Sequence, residues 1–372
     1  MGNQVRIIFV ISGIFLFSSQ NVFTQTSKFS PGKNIIIESR FQSGYTLPLY
    51  DAIAYLTEKN IHAFEINVSF PTYGEDYWER LYRYPRTGAG YSYSTLGNNN
   101  VFGKAHALYG FMNIPVYRRK NIFSLNYQIT FGLAYITKHF DPVNDHLNRA
   151  ISSHGNVYIR FGLDTRLRIN KRCEVLLEAG GTHYSNGKFR SPNYGINTAT
   201  LSFGANYLIG NTAKTYETPD IPAITKKNHQ SLILSAGKKV FDNLLGNNYF
   251  VSSVSYNFDH KVSHKRRLGL GADLFYDKSI SEALANDEGV PDNNFSDMLR
   301  FGLHAAHTVQ YKDLLLSLQM GYYLYSKYTD LSRVYSRVAL QYLLTDHIML
   351  NVSVKSHFAK ADFVEWGIGY HW

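Results

Sequence analysis

The 372-residue chain contains one cysteine, 10 prolines and 28 glycines and carries a formal charge of +10. A lone cysteine excludes a disulfide framework, and no segment has the 18 consecutive apolar residues of a helical membrane span. Tyr and Phe contribute 29 and 24 residues, a usage that favours strands over helices.

The first 25 residues read as a secretory signal. Arg6 precedes an apolar run over residues 7–17, and a polar region follows to Gln25. No cysteine follows to accept a lipid anchor, and removal of this segment takes away one Arg, leaving +9. Strands are predicted over 35–41, 61–70, 89–95, 105–117, 122–136 and 157–169. Residues 51–59 have a helical pattern and are placed in a loop. Two more strands lie within 173–209. A polar, Pro-containing link over 210–230 leads to strands at 231–238, 249–258, 267–276, 298–311, 314–325, 335–344, 348–356 and 363–372. Short turns alternate with longer connections, as periplasmic turns alternate with external loops.

The alternation is clearest over 157–169. Val157, Ile159, Phe161, Leu163, Leu167 and Ile169 share one face, opposite Tyr158, Arg160, Gly162, Asp164, Arg166 and Arg168. A soluble sandwich buries the apolar face, whereas a membrane barrel turns it outward. Alternation alone does not separate the two. The signal segment, the aromatic density and the last strand favour the barrel. That strand carries Val364, Trp366, Ile368, Tyr370 and Trp372 on one face, which would be an aggregation hazard in water. It resembles the terminal assembly signal of bacterial outer-membrane barrels, which implies the barrel assembly machinery as a partner. The expected fold is all-β: a transmembrane antiparallel β-barrel of 14–16 strands. The 210–230 link could separate two smaller barrels, but a single terminal signal favours one closure.

The stretch 173–209 carries the chemistry. Cys173, Val175, Leu177 and Ala179 lie on one face of its first strand, and parity adds His183 and Ser185 to them. On the second strand, Asn197 falls on the apolar face with Ala199, Leu201 and Phe203. Groups suited to hydrolysis on the oily side of a sheet point to a lipid substrate.

Residues 182–197, THYSNGKFRSPNYGIN, resemble the active-site region of the lipid A 3-O-deacylase (PagL) family, also described as acyloxyacyl hydrolase-like. His183, Ser185 and Asn186 match an H-x-S-N signature, and Asn193 with Gly195 matches an N-x-G context. The resemblance covers roughly 33–209, and the loop 138–153 resembles bacteroidete-type members. Residues 26–209 would be the deacylase part and 210–372 further barrel strands. The resemblance implies an integral outer-membrane esterase that removes an ester-linked acyl chain from lipid A, with its site facing the outer leaflet of lipopolysaccharide. Ser185 would be the nucleophile and His183 the general base. Asn193 would be an oxyanion donor supported by Asn186. The family's third member is a Glu where this chain has Asn197. An amide can orient the imidazole but supplies no charge. Glu178 has the wrong parity to replace it. Lys188 and Arg190 could meet lipid A phosphates. No metal, cofactor or nucleic acid is implied. The alternatives are a non-catalytic barrel, for which Arg160, Arg166 and Arg168 would suit an anion-preferring pore, and an outer-membrane phospholipase.

Overall fold

Among the described residues, sixteen strands close into two rings of eight. The computed structural model describes residues 34–372, except 58, 120–121, 214, 241–246, 289–293, 329–331 and 358–359. The signal segment lies outside the described residues. The first ring holds β1 (Ile35–Leu47), β2 (Ile61–Pro71), β3 (Arg86–Thr95), β4 (Lys104–Arg119), β5 (Phe123–Ile136), β6 (Gly155–Arg168), β7 (Cys173–Ser185) and β8 (Ile196–Ile209). It closes by antiparallel pairing of β1 with β8, from Ile35↔Ile209 to Leu47↔Asn197. Between β1 and β2 the predicted helical stretch forms a single turn, α1 (Asp51–Ala54). A second short helix, α2 (Tyr77–Leu81), lies between β2 and β3.

The second ring holds β9 (Asn228–Val240), β10 (Asn248–Ser263), β11 (Arg266–Asp277), β12 (Leu299–Tyr311), β13 (Leu314–Ser326), β14 (Val334–Leu343), β15 (Ile348–His357) and β16 (Lys360–His371). Its closure pairs β16 with β9, for example Gly367↔Ser235. The helix α3 (Ser279–Glu288) lies in the long β11–β12 connection. The strand count of sixteen therefore holds, but the single closure does not. The terminal strand finds its partner in β9 rather than in β1, so the polar link after β8 separates two barrels.

Each barrel is polar within and apolar without. On β7, Glu174, Leu176, Glu178 and Thr182 are buried, while Leu177 and Ala179 are exposed. Exposed Phe41, Phe64, Ile66, Leu201 and Phe203 continue the oily outer surface of the first barrel; Leu234, Leu270, Leu318 and Met320 do so on the second. This is the inverted arrangement of a transmembrane barrel. Among the described residues no helix is long and apolar enough to cross a membrane.

Eight strands leave an interior that side chains fill, so charges inside must find partners. Arg40 pairs with Glu38 at 2.6 Å and with Glu178. Glu178 also holds Arg160, whose guanidinium donates to Thr182 and Thr200. Arg166 bridges Glu38 and Asp164 at 2.6 and 2.7 Å. Gly162 and Gly180 make room for this lattice: a Cβ at either would lie 2.6 Å from the Glu178 carboxylate or the Arg160 guanidinium. The arginine row that would suit a pore is thus tied up in ion pairs. Arg168, at the barrel end, is half-exposed and pairs with Glu174 at 3.1 Å.

Glu178→Leu would strip Arg160 and Arg40 of a shared buried carboxylate. A loss of about 3–5 kcal/mol is expected, measured as a lower urea midpoint for the detergent-folded protein. An unchanged midpoint would contradict the lattice's structural role.

Candidate active site

The site grows from the end of the β7–β8 hairpin. β7 runs to Ser185, and the loop turns through left-handed backbone at Gly187 (φ 64°), Lys188 (φ 64°) and Gly195 (φ 77°). Glycine adopts that conformation freely, whereas Lys188 does so at a cost. β8 then starts at Ile196, in a register that sets Asn197 directly opposite His183. Both side chains take the outward parity of their strands and are partly exposed, while Thr182, Tyr184, Ile196 and Thr198 are buried.

The register has a chemical result. Nδ1 of His183 lies 2.7 Å from Oδ1 of Asn197. A neutral imidazole that donates from Nδ1 to an amide oxygen keeps its lone pair on Nε2, the tautomer a general base needs. Glu178 is no rival for this orienting role, being locked in the lumen between Arg40 and Arg160.

Two residues along β7, on the same face, Ser185 begins the loop. Its Oγ accepts from Asn193 Nδ2 at 2.9 Å and from the Gly187 backbone N–H at 3.1 Å. Both contacts use the hydroxyl oxygen's lone pairs and leave its proton to be given elsewhere. Among the described residues no hydrogen bond joins the hydroxyl of Ser185 to the imidazole of His183.

Asn186 holds the loop in shape. Its backbone N–H donates to Asn193 Oδ1 at 3.2 Å, fixing which way that amide faces. Its buried Nδ2 donates to Ser152 Oγ at 3.0 Å and to the Arg190 carbonyl at 3.2 Å, and the Ser152 hydroxyl donates to the same carbonyl at 2.8 Å. Backbone bonds from Tyr194 to Arg149 and from Gly195 to Ala150 complete the clasp between the β5–β6 and β7–β8 loops. Ser152 went unnoticed in the sequence. It lies in the 138–153 loop that carries the family resemblance, but no local pattern singles it out. Of the two cations considered for phosphate, Lys188 is half-buried, and Arg190 is exposed and contributes its carbonyl to the clasp.

A lipid-facing eight-stranded barrel with a Ser, a His and two Asn side chains at one hairpin end belongs to the class of outer-membrane β-barrel proteins that carry polar chemistry on their outer wall. Family profiles cover both barrels. Lipid A 3-O-deacylase (PagL) matches residues 62–206, and the C-terminal domain of acyloxyacyl hydrolase matches residues 228–372. The first barrel therefore matches the lipid A 3-O-deacylase (PagL) family and the second the C-terminal domain of acyloxyacyl hydrolase. A comparison with curated proteins finds no match. Among solved structures, the outer membrane enzyme PagL is 16% identical, covering 45% of this chain and 97% of its own, with a TM-score of 0.30. The translocator domain of the autotransporter NalP from Neisseria meningitidis is 11% identical, covering 100% of this chain and 99% of its own, with a TM-score of 0.22. A mutant porin of Rh. blastica is also 11% identical, covering 91% and 99%, with a TM-score of 0.18.

Ser152→Ala would remove one partner of the buried Asn186 amide, at a local cost of about 1 kcal/mol. Amide hydrogen exchange should speed up over residues 185–195 while the barrel strands stay protected. Unchanged exchange in that loop would count against the clasp.

Proposed function

We propose that this protein is an outer-membrane serine esterase that removes an ester-linked acyl chain from lipid A. The observation that carries the reading is the 2.7 Å contact between His183 Nδ1 and Asn197 Oδ1. It orients a base on the oily face of the strand that ends in a hydroxyl held by amide donors. A lipid substrate can reach that face from the bilayer.

Ser185 is the nucleophile. As its Oγ attacks the ester carbonyl carbon, its proton passes to Nε2 of His183 and the carbonyl oxygen becomes an oxyanion. Amide donors in the loop, Asn193 Nδ2 foremost, stabilise that charge. Collapse breaks the ester bond, and the imidazolium returns its proton to the leaving sugar hydroxyl. Water, activated by the same imidazole, then releases the fatty acid from the acyl-serine. Asn197 holds the imidazole in its working tautomer throughout. Asn186 positions Asn193. The site faces the outer leaflet, where lipid A resides.

The paired arginines of the first barrel speak against the pore alternative. Purified protein is expected to give no porin-sized conductance steps in planar bilayers.

Mass spectrometry of lipid A and phospholipids from cells with and without the protein tests the activity and its substrate. Lipid A should lose one ester-linked acyl chain, and phospholipids should remain intact. Ser185→Ala and His183→Ala should each lower turnover by roughly 10³-fold or more. Acyl loss from phospholipid instead would make it a phospholipase, and full activity in Ser185→Ala would end the serine mechanism.

Asn197→Asp is isosteric and adds the missing charge. It should raise kcat/KM about tenfold near neutral pH. A neighbouring carboxylate raises the imidazole pKa, and the base works only when deprotonated, so the acidic limb of the pH–rate profile should move to higher pH. A profile that stays in place would show that residue 197 does not face the base during turnover.

A further inference from the structure

The second barrel holds a cavity of about 140 Å³ beneath the β11–β12 connection. A single water needs roughly 10–15 Å³ on the same measure, so there is room for a larger guest. Lys239, Ser279, Arg300, His357, Lys360 and Asp362 are among its lining residues.

The charges around it do not cancel. Two carboxylates lie there, and both are taken. Asp277 accepts from Lys239 at 2.8 Å and from the Ser279 hydroxyl and backbone N–H at 2.6 and 3.0 Å. Asp362 forms ion pairs with Lys239 at 2.9 Å and with Lys355 at 2.7 Å, although its Oδ1 accepts no hydrogen bond. A third cation, Arg300, is only 3% exposed and has no carboxylate within ion-pair distance among the described residues. Its guanidinium lies 5.4 Å from the centre of the Tyr323 ring, and its Nε has no hydrogen-bond partner. His357 is 5% exposed, and its Nδ1, 3.6 Å from Asp362, is likewise unpartnered. A buried donor left unmade is costly, and here two line one space around which, among the described buried groups, three cations (Lys239, Lys355 and Arg300) meet two carboxylates.

We propose that this cavity is a binding site for a phosphate group, held by Arg300 and His357 with Lys239 and Lys360 beside it. A cation would meet three buried cations and no free carboxylate. A neutral guest would leave the excess charge in place. A tetrahedral oxyanion offers acceptors to both unpartnered donors, and guanidinium–phosphate bonds are strong. The chemistry is the same whether the phosphate is free in solution or part of a glycolipid headgroup. Lys188 of the β7–β8 loop also lines the cavity, but the phosphate site does not rest on the deacylase reading, since none of Arg300, His357, Lys239 and Lys360 takes part in that chemistry.

Calorimetry on the intact, detergent-folded protein tests it, with inorganic phosphate as one probe. The other is a phosphorylated glycolipid in mixed micelles, compared with the same lipid after removal of its phosphates. At least one phosphate-bearing probe should bind, and the dephosphorylated lipid should bind at least tenfold more weakly than its parent wherever the parent binds. Inorganic phosphate alone would identify a free-phosphate site, and the glycolipid alone a headgroup site. Arg300→Gln leaves no buried carboxylate without a partner and should weaken binding about tenfold or more. His357→Gln is the second variant should the first not fold, and the exposed Arg172→Gln should bind as the parent does. Absence of binding by either probe, or equal binding by the parent and Arg300→Gln or His357→Gln, would overturn the proposal.

Discussion

The ion-pair lattice inside the first barrel is the constraint on which the rest of the site depends. Arg40, Arg160 and Arg166 are buried, and each is matched by Glu38, Asp164 or Glu178. Removing such charges from water is tolerable only with good partners. An eight-stranded barrel is only just wide enough for its interior side chains or one small ligand, and in the first barrel the ion-pair lattice occupies that space. On the proposed reading, chemistry on a bulky lipid has no room in that lumen. The outer wall is left, where strand parity delivers His183 and Ser185 to the face that meets the acyl chains.

Strand periodicity was easy to read because it is local. All sixteen predicted strands appear, with ends shifted by a few residues, since the pleat carries apolar and polar residues to opposite faces whatever the strand pairs with. Closure is non-local and leaves no such trace. Whether β16 reaches back to β1 or to β9 depends on a pairing across more than a hundred residues. A signal was nonetheless present in the first half. Its inward positions carry Glu38, Glu65, Asp164, Glu174 and Glu178 against Arg40, Arg86, Arg160 and Arg166, close to balance. A wide, hydrated pore has no need of such balance, and a packed lumen does.

The hairpin end was only half legible. The faces of His183, Ser185 and Asn197 follow from counting along two strands, and the turn supplied the register that sets 183 against 197. The clasp from Ser152 through Asn186 to Asn193 could not be counted out, because it joins two loops whose shape depends on side-chain bonds. Asn193 illustrates the difficulty. An Asn before a Tyr-Gly pair is ordinary turn chemistry, yet here its side chain donates to the serine oxygen while accepting from the loop backbone.

Asn197 lies in the same setting, on the outward face of β8. A carboxylate beside the imidazole would stabilise the imidazolium formed during attack, but in the resting state it would be an uncompensated anion on a wall that faces hydrocarbon. The cations that could neutralise it, Arg40 and Arg160, are on the far side of that wall and already paired. An amide keeps the orienting oxygen at 2.7 Å and avoids the charge. On the proposed reading, residue 197 retains the orienting contact with the imidazole and forgoes the electrostatic help a carboxylate would give.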